Sequence, residues 1–303
     1  MSFCQDVKTE LCKIPDKKEC CEKAKLYAFL IFSRTFPLEN EVFTTENKLV
    51  AEHFAESLAG MMGTFVTIHS DLKKLRENTP FYTVLIEDNY QRNLLCSYFS
   101  ISKTALTPKF IDNPCCASSF FRGLFLLSGT VTNPEKEYHL EIQAPNNTLA
   151  EATYLLALSL GINFKITKRK NNAVLYLKES EQIEDFLTLI GSSRFALKLM
   201  DVKVMKNVRN KVNRVTNCET ANLSKTVAAA NSQVRDITFI KERTGLDYLD
   251  EDLRELAKVR LENPDLSLRE LTELLSEPLS RSGVNHRLKR ISEVAEKLRK
   301  SVK

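Results

Sequence analysis

No stretch of this 303-residue sequence approaches the roughly 20 uninterrupted apolar residues a helix needs to cross a bilayer, which argues against a membrane protein. The start, Met1-Ser2-Phe3-Cys4-Gln5-Asp6, has neither the basic flank nor the apolar core of a signal peptide, so a cytoplasmic location is expected. The eight cysteines include no CxxC pair and no Cys/His cluster at zinc spacing. A chain this long has no need of disulfide staples, so free thiols, no metal and no cofactor are the expectation. Net charge is missing from the first two-thirds: residues 1–200 hold 23 Lys+Arg against 23 Asp+Glu.

What is present is enough apolar material, 43% of residues, for two domains with cores of their own. The whole net charge of +5 lies in residues 201–303. From Ser280 to the end, eight basic residues stand against Glu293 and Glu296. Such a terminus reads either as a surface that meets phosphates or as a solvated lysine-rich helix.

The first 200 residues contain an internal repeat. Setting Cys20-Cys21 over Cys115-Cys116 lays CCEKAKLYAFLIFSRTF on CCASSFFRGLFLLSGTV, pairing Ala28 with Gly123, Leu30 with Phe125 and Ser33 with Ser128. Each copy reads as an apolar helix with a small residue at its middle, able to pack closely on the other across a pseudo-twofold axis. The order downstream repeats as well. After the first copy, a strand is expected at 41–45, a helix at 47–62, strands at 64–69 and 81–87, and a helix at 89–99. After the second, the expectation is a strand at 137–143, a helix at 148–160, strands at 163–169 and 174–178 joined by an Asn171-Asn172 turn, and a helix at 181–190. The vicinal cysteines fall at matching positions. They are read here as buried or helix-start thiols, with metal binding or redox sensing as the rival reading. His53, His69 and His139 have no partner at ligand spacing and are read as structural.

This arrangement resembles the LAGLIDADG homing endonuclease fold. There each central helix ends in an acidic residue before a glycine, and the two carboxylates hold divalent metal for phosphodiester hydrolysis. On that resemblance Ser128, before Gly129, and Ser33, before Arg34, occupy the two carboxylate positions. A serine hydroxyl cannot neutralise the metal, so the domain is expected to be catalytically degenerate. Its zero net charge is also a poor match for a nuclease that grips a long duplex.

The segment from Met205 is rich in asparagine (Asn207, Asn210, Asn213, Asn217, Asn222) interleaved with Arg209, Lys211, Arg214 and Lys225. Asparagine is a poor helix former. Two readings stay open: Arg209, Asn213 and Arg214 contact DNA phosphates or base edges, or these side chains cap helices at a joint between domains.

From Lys225 an apolar helical period resumes, and a helix is expected at 249–261, ended by Asn263-Pro264-Asp265. Ser267-Leu268-Arg269-Glu270 reads as a capping box opening a short helix at 268–275. After a break at 276–279, Ser280 is placed to cap the last helix, whose Val284, Leu288, Ile291, Ala295 and Leu298 face a core. Its opposite face carries Arg281, Ser282, Asn285, His286 and Lys289, with Arg287 and Arg290 at the edges. This is the helix-turn-helix pattern, whose second helix enters the major groove by its N-terminal end. Arg281 and Lys289 suit guanine, Asn285 suits adenine, Arg287 and Arg290 suit phosphates, and Gly283 would permit close approach.

Four stretches together resemble the WhiA family of sporulation regulators of Gram-positive bacteria: Phe120–Ile142, Arg209–Thr226, Leu266–Leu275 and Ser280–Ile291. The resemblance implies a degenerate homing-endonuclease-like domain joined to a DNA-binding helix-turn-helix, acting in sporulation or division-linked regulation. The expectation is thus an α+β protein: residues 1–200 a pseudo-twofold LAGLIDADG-like domain, 201–224 an inter-domain linker, and 225–303 an all-α helix-turn-helix domain. The expected partner is double-stranded DNA, with other transcription factors or RNA polymerase as further partners. The oligomeric state is left open, a monomer among the alternatives; a single recognition helix often needs a partner or a second contact surface for tight binding. The expected location is cytoplasmic, at the nucleoid. The rivals are an active endonuclease and a protein-interaction scaffold.

Overall fold

The computed structural model describes residues 2–72, 80–169 and 172–301. The chain divides into two compact units, Met1–Asn207 and Val208–Lys303. Among the described residues no helix is long and apolar enough to cross a membrane.

The first unit opens with a helix that the repeat does not announce, α1 (Phe3–Lys13), which buries Phe3, Val7 and Leu11. The first repeat follows as α2 (Glu19–Phe32), β1 (Glu41–Thr45), α3 (Lys48–Met62), β2 (Thr67–Leu72), β3 (Pro80–Leu85) and α4 (Asn89–Phe99). The second is α5 (Pro114–Ser128), β4 (Gly129–Val131), β5 (Leu140–Ala144), α6 (Asn147–Ser159), β6 (Lys165–Arg169), β7 (Asn172–Leu177) and α7 (Ser180–Leu189). The sheets are ordered β1-β3-β2 and β4-β5-β7-β6, with all neighbours antiparallel. Matching strands therefore take matching places, and β4 is the one addition in the second half. A three-residue strand beginning with glycine offers no alternation to read, which is why β4 is not expected from the sequence. The strand expected from 137 starts at Leu140, because a turn closed by Lys136 N–H on the Asn133 carbonyl (2.9 Å) occupies the chain before it. Asn171, half of the expected turn, lies outside the described residues.

The two central helices pack as the repeat requires. A Cβ built on Gly123 would lie 2.9 Å from the Ala28 Cβ and 2.6 Å from the Lys25 carbonyl oxygen, so only glycine lets the backbones approach this closely. Around them lies a core dense in phenylalanine. Phe29, Phe43 and Phe54 have ring centroids 5.0–5.3 Å apart, and Phe164 and Phe125 flank Phe186.

Then comes α8 (Ser193–Arg243), 51 residues without interruption against an average helix of about 11–12. Its residues 207–229 are all exposed. No helix begins or ends within 201–224, so the asparagines there cap nothing and the segment is helical throughout. The apolar period that resumes at Lys225 reflects burial, which returns at Ala230, and the second unit itself begins earlier, at Val208. That unit adds α9 (Glu251–Glu262), α10 (Leu268–Glu273) and α11 (Arg281–Lys300) around Ile237, Ile240, Leu253, Leu256, Leu271, Val284, Leu288 and Ile291.

Candidate nucleic-acid interface

The turn leading into α10 is held by a buried arginine of α9. Arg260 is 2% exposed, and its guanidinium donates to Gln233 Oε1 (2.9 and 3.1 Å) and to the Leu266 carbonyl (2.6 Å), with longer bonds to the carbonyls of Asn263 and Pro264. One buried cation thus fixes the backbone before Ser267. No local sequence signal marks it, since its partners come from α8 and the loop it organises.

Both expected caps form. Ser267 Oγ accepts the Glu270 amide at 3.3 Å, and Glu270 Oε2 accepts the Ser267 amide at 2.7 Å. Those bonds hold the Glu270 carboxyl below the usual carboxylate range. Ser280 Oγ accepts the Gly283 amide at 3.1 Å and starts α11. Between them, Glu255 Oε1 accepts the Ser276 amide at 2.7 Å and ties the break to α9. Val284, Leu288, Ile291 and Ala295 are buried as the spacing requires, which turns the other face of α11 outward.

On that face Arg281, Ser282, Asn285, His286 and Lys289 are exposed at the N-terminal end of the helix. Gly283 meets nothing closer than 3.5 Å, so the protein's own packing does not demand a glycine there. Arg287 and Arg290 differ from the others. Arg287 is half-buried with Nε 3.3 Å from Asp252, and Arg290 lies 3.2 Å from Asp250 and 4.0 Å from Asp252. These two are already paired to the start of α9. The charge around α11 is consequently uneven. Toward α9 a cavity is lined by four carboxylates, Glu251, Asp252, Glu255 and Glu277, among Arg254, Lys258 and Arg287. Toward α8 and α10 another is lined by Lys225, Arg269 and Arg281 with Thr226 and Ser267, and no carboxylate lines it. Arg269 is not among the residues the sequence points to. Its signal lies in being an exposed cation one position past the first residue of α10.

Arg209, Asn213 and Arg214 all sit exposed on the helical stretch of α8 that buries nothing.

In the first unit the two serines at the central helix ends are engaged with backbone. Ser33, 2% exposed, donates to the Val42 carbonyl and accepts the Phe36 amide at 3.0 Å. Ser128 donates to the Leu124 carbonyl at 3.3 Å. They line one cavity with Lys8, Arg34, Glu41 and Glu46. The last carbonyls of α2 are occupied by a cation: Lys103 Nζ donates to Ser33 (2.6 Å), Ile31 (3.1 Å) and Leu30 (3.4 Å). Burial lowers the Lys103 ammonium to about 8.

The fold is that of a pseudo-twofold LAGLIDADG-like domain followed by a helix-turn-helix domain. Family models described as "WhiA C-terminal HTH domain" and "WhiA LAGLIDADG-like domain" match residues 212–295 and 117–209. A probable cell division protein WhiA of Carboxydothermus hydrogenoformans is 38% identical over 308 residues, covering 99% of this chain and 98% of that protein. The counterpart of Ruminiclostridium cellulolyticum is 38% identical over 312 residues, covering 99% of each. The crystal structure of full-length DUF199/WhiA from Thermatoga maritima is similar with a TM-score of 0.58 and 27% identity, covering 98% of this chain and 99% of that one. The chain belongs to the WhiA family.

Proposed function

We propose that the protein is a sequence-specific, double-stranded-DNA-binding transcription regulator that reads the major groove with the start of α11. The observation that carries this is the exposed face of Arg281, Asn285 and Lys289, spaced one helical turn apart and turned outward by the buried face of the same helix. Arg281 and Lys289 suit guanine O6/N7, and Asn285 suits the N6/N7 edge of adenine. Ser282 and His286 border the same face. Arg281, Lys225 and Arg269 extend it toward phosphates. Arg287 and Arg290 serve first as braces to α9, so their loss acts mainly through the fold. Arg209, Asn213 and Arg214 add backbone contacts along α8.

The first unit acts as a non-catalytic module that binds DNA or a partner such as another transcription factor or RNA polymerase. Supporting this, the helix-end serines satisfy backbone groups and the lysine on the α2 carbonyls would repel a divalent cation. The process regulated is cell division, as the relatives' names have it, or sporulation. The place of action is the cytoplasm, at the nucleoid.

The test is fluorescence anisotropy of the full chain on genomic duplex fragments across salt concentrations, with Mg²⁺ present. Binding should fall steeply with salt. Arg281→Glu and Lys289→Glu should each weaken specific binding by roughly 5- to 150-fold, from about 1–3 kcal/mol per bidentate contact. Unchanged binding in the double variant would transfer the reading to an interaction scaffold, and Mg²⁺-dependent cleavage would restore the endonuclease.

A further inference from the structure

The four cysteines of the repeat, adjacent in pairs in the sequence, meet in space. Cys20 and Cys21 are the second and third residues of α2, and Cys115 and Cys116 the second and third of α5. Because the two helices cross in close contact through Gly123, their N-terminal ends bring all four sulfurs within 4.8 Å of one another. Cys21 and Cys116 are 2% and 3% exposed, and Cys20 and Cys115 are half-buried. Among the described residues this is the one group of three or more such ligand types so assembled. The rule of spacing along the chain misses it, since each helix supplies a vicinal pair and only the pseudo-twofold axis completes the set.

We propose that these four cysteines form a structural site for a single thiophilic divalent cation, zinc, which clamps the N-terminal ends of the two central helices. A tetrahedral zinc with bonds of about 2.3 Å to sulfur places its ligands about 3.8 Å apart, so small rotations about the cysteine χ1 angles close the cluster onto one ion. An iron–sulfur cluster spreads its four thiolates over two or four irons and needs the set wider. Hard cations such as magnesium and calcium prefer oxygen. Four protein ligands leave no open position, which marks the site as structural.

The electrostatics suit a tetrathiolate. Zinc with four thiolates carries a net charge of about −2, and two helix N-termini each offer about +0.5. Neither helix has a side-chain cap: the residues before α2 and α5, Lys18 and Asn113, make no capping bond, so no capping side chain neutralises either helix N-terminus beside the cysteines. Lys18 also acts as a positive charge on Cys115. The site is independent of whether α11 binds DNA.

The experiment is elemental analysis of the tag-free full chain purified under thiol reductant without chelator. One zinc per chain is expected, retained in Cys218→Ser, an exposed cysteine of the second unit, and reduced at least tenfold in Cys20→Ser/Cys115→Ser. The wild type alone provides a second readout should the double variant fail to fold. Titration with p-mercuribenzoate should release the zinc as four thiols react, and cobalt exchanged for zinc should show thiolate-to-cobalt charge-transfer absorption. Substoichiometric zinc with no cobalt–thiolate band would overturn the proposal. So would iron with acid-labile sulfide, disulfides within the cluster, or full zinc in the double variant.

Discussion

His53 shows how much a single side chain's behaviour depends on what folds against it. The Lys25 ammonium, 1% exposed on α2, pairs with Asp16 at 2.5 Å and lies 2.6 Å from His53 Nε2, while Arg122 of α5 reaches the same aspartate at 3.6 Å. An ammonium can only donate, so Nε2 accepts and the imidazole is neutral, with its proton on Nδ1. Burial first, and then the Lys25 charge, lower His53 to about 4 from an ordinary 6.5. The folded state therefore binds this proton less readily than the unfolded chain. The neutral ring's contribution is fully present above about 6.5 and is lost as pH falls toward 4. Urea midpoints should be level near neutrality and drop across that window. His53→Gln, which keeps an acceptor for Lys25 and cannot titrate, should flatten the drop. Parallel loss in both proteins would remove His53 as the cause. In the sequence His53 looks isolated, and rightly so by spacing: its partners come from α2, from the loop between α1 and α2, and across the helix pair.

At the level of elements, the repeat is the most legible feature. The 95-residue offset pairs Ala28 with Gly123, and these are the residues in contact where the helices cross. The Ser267 and Ser280 caps are equally readable, because capping is local chemistry with fixed spacing. Less legible are α1, β4 and the continuity of α8, where tertiary burial or helix length outweighs residue preference. Gly123→Ala tests the crossing. The added methyl meets a backbone carbonyl at 2.6 Å, which cannot step aside as a flexible side chain could, so a loss of about 1–3 kcal/mol in unfolding free energy is expected. Gly60→Ala in α3 meets nothing within 4 Å and should instead be stabilising by about 0.5–1 kcal/mol. Equal effects in denaturant unfolding would mean that the crossing tolerates a Cβ.

For the molecule as a whole, the partition of charge is plain from composition alone: a neutral first two-thirds and a basic end. What composition cannot show is that the basic end divides again, with a mixed-charge, carboxylate-bearing border toward α9 and a carboxylate-free cavity toward α8. Nor can it show that four thiols distributed over two helices converge. Long-range pairing of this kind is a property of topology, and the sequence carries it only through the repeat.

The exposed stretch of α8 has a consequence for handling the protein. Residues 207–229 rely on helical hydrogen bonds alone, with no buried side chain to add to the free energy of opening a turn. Arg209, Lys211, Arg214 and Lys225 lie within it, each a bond that trypsin cleaves. Brief digestion of the native chain should nick there before anywhere in the two cores, leaving two resistant fragments whose termini are readable by mass spectrometry. A first cut elsewhere would show that some other part of the fold opens more readily than this solvent-facing helix.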